Sequence, residues 1–421
     1  MNRIWGKILA VNRKKTIRST QVRVAVGISG GVDSAVSALL LKKAGYDVVG
    51  VHLYCWPPKS EVEKDGMTRD EWIKKNGCRA DEDRQMALKT ALELEIPFKV
   101  LDFSEEYNQR VIKYFYEEYE AGRTPNPDVL CNSEIKFGLF LEWAMANGFD
   151  YIATGHYAKL LSVSSRAKTV LGSPWSTGSR LRAVLASASA ADEVSLNIPK
   201  DKHKDQTYFL WKLTQKELSR VLFPLGDYVK TEVRAMAKEE MLSVADRKDS
   251  QGICFIGNVE VKNFLARRLK KKRGMVLDTE GQVLGTHDGV WFYTVGQRGG
   301  WVMDPRTQGI KNSRTQDGET PIYYVISKDA KRNELVVAEA EGAMGDQLEV
   351  GSVNQISNTK WDMNDLLVRI RHGGELIGAR GMENEDGLLV ILDKPIRGIA
   401  SGQSAVFYSS GGECLGGGVI L

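Results

Sequence analysis

The chain has few cysteines and no long apolar run. Its 421 residues include five cysteines, an odd number with no Cys-x-x-Cys pair, which argues against a disulfide framework and against a zinc site of the usual spacing. No apolar stretch approaches the roughly 20 residues of a membrane-spanning helix, so we expect no membrane insertion. We therefore expect a reducing compartment, in which the cysteines are either buried side chains or reactive thiols.

Acidic residues are missing from the start of the chain, where the first carboxylate is that of Asp33. Basic and apolar residues alternate before it, in a pattern that resembles a mitochondrial transit peptide. A basic arm on a cytosolic RNA-binding protein is the alternative. We predict that residues 1–21 are a transit segment and that the protein is mitochondrial, with the cytoplasm as the second possibility. The net charge of +4 permits nucleic-acid binding without requiring it.

The most informative segment joins an apolar strand pattern at 22–28 to the sequence Ser-Gly-Gly-Val-Asp-Ser at 29–34 and then to a helical pattern. Two adjacent glycines can adopt positive φ and bring backbone N–H groups close to an anion, and the helix N-terminus adds further donors. The segment lacks the Lys-Ser/Thr ending of a Walker A loop. An ordinary Gly-Gly turn is the alternative, but the full string after a strand favours a phosphate site with a different nucleotide chemistry.

Strand and helix patterns alternate along the first part of the chain, as at 35–41, 48–51, 87–92 and 98–101. Repeated units of this kind predict a parallel sheet with helices on both faces, whose ligand lies beyond the carboxyl ends of the strands. From about residue 321 onward, short alternating strands separated by turn residues predict a small β-barrel. The chain is long enough for two or three domains.

Two cysteines lie in segments that suggest reactive thiols. Cys131 follows a stiff loop that contains Pro125 and Pro127, and an Asp precedes it by three residues at a predicted helix N-terminus, which would lower the thiol pKa. Cys254 lies in a short strand-like segment between glycines. For each cysteine, a buried apolar role is the alternative. No role can be assigned to Cys55 or Cys78.

The loop at 29–34 resembles the pyrophosphate-binding loop of the ATP pyrophosphatases, which split ATP into AMP and pyrophosphate. From about Val22 to the C-terminus the chain resembles the tRNA-specific 2-thiouridylases, and with its N-terminal extension it is most similar to their mitochondrial branch. The segments that carry this resemblance, besides the loop, are 122–137, 154–157, 204–210, 248–257, 294–298 and 402–408.

The resemblance implies a tRNA sulfurtransferase that uses ATP and Mg²⁺ to 2-thiolate the wobble uridine of tRNAs of the Lys, Glu and Gln type. ATP would adenylate the C2 oxygen, and a persulfide on Cys254 would supply sulfur. Cys131 would complete the transfer, by releasing sulfide or by attacking the terminal sulfur, and leave a Cys131–Cys254 disulfide. Asp128 would be a general acid/base. The partners would be the tRNA anticodon loop and stem, with an unstacked uracil, and a sulfur-donor protein fed by a cysteine desulfurase.

The resemblance also assigns binding residues. Asp33 is expected to help hold Mg²⁺. The expected ATP-binding residues are Gly27, Ile28, Ser29, Gly30, Gly31, Val32, Asp33, Ser34, Leu53 and Gly155. The expected tRNA-binding residues are Asn126, Pro127, Asp128, His156, Lys204, Asp205, Gln206, Arg369, Ile370 and Gln403.

The implied fold is α/β, with a parallel sheet of the adenine-nucleotide alpha-hydrolase-like (PP-loop) type, then a small central domain and a C-terminal β-barrel. We expect the catalytic domain at 22–250, with an inserted surface loop at about 161–198. The central tRNA-binding domain is expected at 251–320, with a basic helix at 262–273 that suits the tRNA backbone, and the barrel at 321–421.

Two other functions remain open at this stage. One is a different ATP pyrophosphatase that adenylates a small metabolite, for which both thiols would be dispensable. The other is a catalytically silent tRNA-binding protein that keeps the fold.

Overall fold

The computed structural model describes residues 21–76, 79–162, 193–249, 254, 261–305, 322–357 and 360–421. Residues 1–20 of the expected transit segment lie outside these ranges, as do Cys78, residues 163–192 of the expected insertion and the residues that flank Cys254 on both sides. In the described part of the chain, no helix combines the length and the hydropathy needed to cross a membrane.

The N-terminal domain is built on a parallel sheet in the order β3-β2-β1-β4-β7, as the sequence predicts. Val24, Ala25 and Val26 of β1 are fully buried, because helices cover both faces of the sheet. The strands are β1 (Arg23–Gly27), β2 (Asp47–Tyr54), β3 (Phe98–Asp102), β4 (Tyr151–Ala153) and β7 (Val221–Leu222).

The first helices of this domain connect the strands and carry the loops of the site. They are α1 (Val32–Lys43), α2 (Lys59–Lys64), α3 (Arg69–Asn76), α4 (Ala80–Glu93), α5 (Ser104–Tyr107), α6 (Lys113–Glu120), α7 (Pro127–Leu130) and α8 (Phe140–Ala146). π-helical turns at Asn108–Ile112 and Cys131–Leu139 join α5 to α6 and α7 to α8. Later helices span Gln215–Leu218, Lys230–Glu239 and Val261–Leu265, with 3₁₀ turns at Thr207–Phe209 and Val290–Phe292.

The central sheet has the order β10-β9-β8-β12-β11. Its strands are β8 (Gly274–Leu277), β9 (Val283–His287), β10 (Val302–Met303), β11 (Tyr324–Asp329) and β12 (Glu334–Ala338). The sequence predicts that the last two of these strands belong to the C-terminal barrel, whereas β12 pairs in parallel with β8. Alternating side chains predict a strand but do not identify its partner, so the domain boundary expected at 320 lies after β12.

The C-terminal domain is the predicted barrel. Six strands follow the order β13-β16-β15-β14-β17-β18, and β13 also pairs with β18, which closes the ring. They are β13 (Met344–Gln355), β14 (Leu366–Arg369), β15 (Ile377–Asn384), β16 (Gly387–Arg397), β17 (Ser404–Tyr408) and β18 (Glu413–Ile420).

The described ends of the expected insertion are strands. They form a hairpin of β5 (Lys159–Ser162) and β6 (Val194–Asn197), and β6 pairs with β18 of the barrel. This hairpin corrects the expectation of a surface loop that starts at 161 and ends at 198. It also joins the catalytic domain to the barrel by main-chain hydrogen bonds.

The expected basic helix at 262–273 is much shorter in the structure. The helix Val261–Leu265 is followed by turns, and Phe264, Leu265 and Leu269 are buried. The backbone N–H of Lys272 donates to Asp288 O, which aligns this segment with the neighbouring chain as it enters β8. The basic side chains therefore extend from a short helix and an extended segment.

Candidate active site

The loop between β1 and α1 forms a cradle that requires glycine. Gly30 has φ of +83°, and a Cβ there would lie 2.4 Å from Asp83 O. The Ser34 Oγ donates to Gly31 O at 3.1 Å and accepts from the Ser29 N–H at 3.1 Å. The serines thus hold the loop against the helix that follows it.

The N-terminus of α1 carries no side-chain cap at Gly31. In a 12-residue helix without a side-chain cap, the backbone N–H groups of the first turn can donate hydrogen bonds to an anion. Gly155, which follows β4, lies against this turn, and a Cβ on it would be 2.7 Å from Ser34 N. Leu53, also expected at the nucleotide, lies in β2 and is 7% exposed. The cradle therefore suits a phosphate group.

Asp33 faces a lysine from a distant helix. Lys230 Nζ lies 2.7 Å from both carboxylate oxygens of Asp33, and the Tyr157 hydroxyl donates to Oδ1 at 2.9 Å. No group of three His, Cys, Asp or Glu side chains among the described residues could hold a metal ion. Asp33 would therefore contribute to a Mg²⁺ site only together with ligands from the nucleotide or from water.

Asp249 links the cradle to a second group of cations. Its carboxylate lies 2.6 Å from Lys204, 2.8 Å from Lys230 and 2.8 Å from Arg234. Burial raises the pKa of Asp249, but hydrogen bonds from Lys204 and Lys230 outweigh it and lower that pKa to about 2. Asp249 therefore stays ionised and holds these cations beside the cradle.

The two thiols predicted to be reactive lie together beyond the cradle. Asn126 caps α7 by accepting from the Val129 N–H, and Pro127 is the first helical residue. This cap positions Asp128, whose Oδ1 accepts from the backbone N–H of Cys254 at 3.1 Å. Cys131 is fully buried and Cys254 is partly buried, and both are free thiols.

The two thiols differ in acidity. A hydrogen bond from Cys131 lowers the pKa of Cys254 despite its burial, and the charge of Lys136 adds to the effect. Burial raises the pKa of Cys131 well above its usual value. From the sequence, we expect the helix N-terminus to lower the pKa of Cys131. That expectation is wrong, because Cys131 lies after α7 in a position without solvent, and the more acidic thiol is that of Cys254.

Two further residues of this centre were missed by the sequence analysis. The Tyr107 hydroxyl donates to Cys254 O at 2.7 Å, and Lys136 lies close enough to the thiols for their charges to interact. Lys136 follows Cys131 by five residues within a π-helical segment. A π-helix forms hydrogen bonds between residues five apart, whereas a sequence pattern for an α-helix assumes a spacing of three or four. Burial raises the pKa of Asp128, which suits a group that holds a proton.

A cavity of about 290 Å³ opens beside Asp128. Its walls include the Pro125 to Asp128 loop and several aromatic side chains, among which the rings of Phe209 and His372 lie 4.5 Å apart. The Gln403 Nε2 donates to Thr124 O at 2.9 Å, so the barrel supports this loop. The lining residues are Phe115, Tyr119, Pro125, Asn126, Pro127, Asp128, Tyr208, Phe209, Val261, His372 and Gln403.

Some residues expected to contact tRNA remain partly accessible. The Lys204 side chain is 41% exposed, and Gln206 accepts a hydrogen bond from the Tyr157 N–H at 2.9 Å. Four others are buried, namely His156, Asp205, Arg369 and Ile370.

The buried residues are engaged inside the fold. The Arg369 guanidinium lies 2.6 Å from Asp205, where it connects the barrel to the catalytic domain. His156 Nδ1 lies 2.7 Å from Thr154 Oγ1, and burial lowers the pKa of His156 well below its usual value. The fold thus hides side chains that the resemblance assigned to tRNA contact.

Cys55, to which the sequence analysis assigned no role, directly follows β2 and is 2% exposed. Burial raises its pKa well above the usual value, and the charge of Cys254 acts in the same direction. Cys55 therefore lies near the centre formed by Cys131 and Cys254, but its thiol is less acidic than that of Cys254.

Comparisons with known proteins cover almost the whole chain. Residues 22–258 match the tRNA methyl transferase HUP domain, 262–339 the tRNA methyl transferase PRC-barrel domain, and 346–420 the aminomethyltransferase beta-barrel domain. The second and third matches agree with a domain boundary after β12.

Curated relatives are similar over nearly their full length. The tRNA-specific 2-thiouridylase MnmA of Bacillus pumilus (strain SAFR-032) is 37% identical over 416 residues, which is 96% of each chain. The MnmA of Geobacillus thermodenitrificans (strain NG80-2) is 39% identical over 405 residues, or 95% of each chain. A solved 4-thiouridine synthetase complexed with RNA and ATP is 16% identical with a TM-score of 0.31, covering 58% of this chain and 50% of its own, a likeness too low to bear on function.

Proposed function

Because the chain belongs to the family of tRNA-specific 2-thiouridylases, we propose that it catalyses the ATP-dependent 2-thiolation of the wobble uridine of tRNA. The observation that carries the proposal is the meeting of Cys254, Cys131 and Asp128 beside an aromatic-lined cavity. The cavity lies at the same edge of the molecule as the expected base-contacting loop, and aromatic walls suit an unstacked base.

The nucleotide half of the reaction is assigned to the loop at 29–34. The uncapped N-terminus of α1 and the Gly30 turn would bind the pyrophosphate of ATP while the C2 oxygen of uracil is adenylated. Mg²⁺, with Asp33 as its protein ligand, would neutralise phosphate charge there. Adenylation is needed because an amide-like carbonyl resists direct attack by a thiol.

The sulfur half is assigned to the two thiols. Cys254 is the more acidic and the more accessible, which suits a thiol that receives sulfur as a persulfide. Attack of Cys131 on the inner sulfur, Cys254 Sγ, forms the Cys131–Cys254 bond and releases the terminal sulfur with its electron pair. That sulfur bonds to C2, and AMP leaves. Attack on the terminal sulfur would only move the persulfide to Cys131, so the disulfide requires the first route.

Asp128 is assigned the proton transfers at the base. Its carboxyl accepts from the Cys254 N–H, and burial raises its pKa, which favours the protonated form and suits a group that exchanges a proton with the base. The expected substrates are tRNAs of the Lys, Glu and Gln type, and the sulfur would come from a donor protein fed by a cysteine desulfurase.

Mitochondrial import is the part of the proposal that depends on sequence alone. The basic, acid-free stretch at 1–21 supports it, whereas the relatives above are bacterial. Fusing residues 1–21 to a fluorescent protein tests it directly. Fluorescence in mitochondria would support import, whereas fluorescence that stays in the cytosol would favour a cytoplasmic protein.

Nucleoside mass spectrometry tests the central proposal. Unmodified tRNA-Lys is incubated with the protein, Mg-ATP and a persulfide donor, beside the Cys131→Ser and Cys254→Ser variants. Cys414→Ala is the matched control, because this thiol is buried in β18 of the barrel and is not among the residues that line the cavity. We expect 2-thiouridine only from the wild type and the control. Thiolation without Cys254, or AMP formation without any tRNA, would contradict the proposal and favour a small-metabolite substrate.

A further inference from the structure

Lys230 lies at the phosphate cradle although it is far from it in sequence. Its Nζ lies 2.7 Å from both oxygens of Asp33, in the first turn of α1, and 2.8 Å from Asp249. The Tyr157 ring centroid is 6.0 Å from the same nitrogen. The Lys230 side chain is only 12% exposed, so the ammonium group is confined to the cradle.

The backbone that carries Lys230 is also fixed. Lys230 is the first residue of the helix Lys230–Glu239, and its N–H donates to Asp201 Oδ2 at 2.9 Å. The preceding residue, Val229, donates its N–H to Glu232 at 2.8 Å. Both bonds restrain the first turn of this helix, so the side chain starts from a defined point beside the loop.

The cradle needs a cation that its own sequence does not provide. The loop at 29–34 contains no lysine or arginine, and the carboxylate of Asp33 would repel a polyphosphate at the helix N-terminus. We propose, on the basis of the proposed function, that Lys230 is a phosphate-binding residue of the ATP site. It supplies the ammonium group that the loop lacks. A lysine ammonium has three N–H donors, and the acceptors near Lys230 Nζ are the two Asp33 oxygens and Asp249. The donor that faces Asp249 can turn toward a phosphate oxygen while the other two still neutralise Asp33.

Among the described residues, Arg247 is another cation near the loop, and its contacts indicate a structural role. It donates to Gly30 O at 2.5 Å and also pairs with Asp83 at 2.6 Å and Glu82 at 3.0 Å. These three acceptors hold α4 against the loop. The Arg247 guanidinium therefore already connects the loop to α4, whereas the Lys230 ammonium contacts the Asp33 carboxylate at the start of α1.

Arg234 offers a matched control on the same helix. It shares Asp249 with Lys230 and donates to the carbonyl oxygens of Ala245 and Arg247. Its contacts lie on the Asp249 side of the network. A defect that acts only through Asp249 should therefore appear in Arg234→Met as well as in Lys230→Met, whereas a lost phosphate contact should appear only in the latter.

Isothermal titration calorimetry with two probes, MgATP and AMP, tests the proposal on the full chain. We expect Lys230→Met to weaken MgATP binding about tenfold or more, because a charge-assisted contact to the phosphates is lost, while AMP binding changes less than about twofold. Lys230→Arg should restore part of the MgATP affinity. Arg234→Met should leave both affinities within about threefold of the wild type.

The outcomes separate this inference from the proposed function. MgATP affinity that is the same in Lys230→Met and the wild type would overturn the role of Lys230 alone, and so would an equal loss of MgATP and AMP binding, which indicates a structural defect. A wild-type chain that binds no MgATP would overturn the proposed function and the inference together.

Discussion

The two halves of the candidate site are built in different ways. The phosphate cradle is one contiguous loop, Ser29 to Ser34, whose properties come from backbone conformation and a helix N-terminus. The thiol centre is assembled from Tyr107, Asp128, Cys131, Lys136 and Cys254. Backbone chemistry is encoded locally, but the acidity of a thiol depends on burial and on neighbours, which for Cys254 are distant in sequence.

The two halves also differ in how their charged groups are stabilised. In the cradle, Asp33 is neutralised by an ion pair with Lys230 and stays partly accessible. In the thiol centre, burial and hydrogen bonds shift the pKa values of Cys131, Cys254 and Asp128. The comparison predicts that a steric change at the cradle should leave the thiol centre intact, and that removing a charge from the thiol centre should leave the cradle intact.

The largest effect is expected from Gly155→Ala, which would distort the phosphate cradle without changing the thiol centre. The new Cβ would lie 2.7 Å from Ser34 N and 2.9 Å from Asp33 C, so the first turn of α1 must shift, at a cost of about 1–3 kcal/mol. We expect MgATP affinity to fall about tenfold or more in calorimetry.

Gly411→Ala is the control, because its Cβ would make only one ordinary contact, at 3.6 Å from Ser409 Oγ, and Gly411 belongs to the barrel rather than to the phosphate loop. Iodoacetamide alkylation of Cys254 should be unchanged in both variants. Slower alkylation in Gly155→Ala would show that the two halves are not independent.

A smaller effect is expected from Lys136→Met, which would alter the thiol centre alone. Removing the positive charge destabilises the thiolate, so the pKa of Cys254 should rise, and the thiolate fraction at pH 7 should fall. The pH dependence of Cys254 alkylation, followed by peptide mass spectrometry, measures this shift. Lys113→Met is the control, since Lys113 is exposed and pairs with Glu117. A midpoint that does not move would contradict the role of Lys136.

The smallest effect is expected at Lys328 of the central domain, which contacts the residue before the Pro125 to Asp128 loop. Lys328 Nζ donates to Tyr293 O at 2.8 Å and to Thr124 Oγ1 at 3.4 Å, and burial lowers its pKa to about 8. Because the folded state disfavours the proton, this lysine destabilises the fold below pH 8, and the penalty fades as pH rises from 8 to about 10.5.

Lys328→Met should therefore raise the free energy of unfolding at pH 7 by about 1–2 kcal/mol, after the loss of its hydrogen bonds. At pH 10 the gain should be smaller. Urea denaturation at both pH values measures the difference. An equal gain at pH 7 and pH 10 would contradict the lowered pKa, and MgATP affinity should not change.

Much of the fold followed from the sequence, but the assignment of strands to sheets did not. The βα repeats predicted the parallel sheet, and the short alternating strands predicted a barrel. The pairing of β12 with β8, and of β6 with β18, was missed. A strand pattern describes which faces are buried, whereas the choice of partner is made by contacts between segments that are far apart in the chain.

The site was predicted in the same uneven way. The sequence identified both thiols and Asp128, but it assigned the low pKa to Cys131 rather than to Cys254. It gave no sign that Lys136 lies beside them or that Gln403 of the barrel supports their loop. These relations depend on desolvation and distance, which a linear pattern does not contain.

The sequence by itself determined the phosphate loop, the residue types of the thiol centre and the resemblance to a family, because glycine freedom, helix N-termini and sulfur chemistry are properties of local residues. Only the tertiary structure decided which thiol is acidic, which expected RNA contacts are buried and that Lys230 reaches Asp33 across 197 positions. Those outcomes follow from packing, since burial and ion pairing are set by the groups that folding brings together.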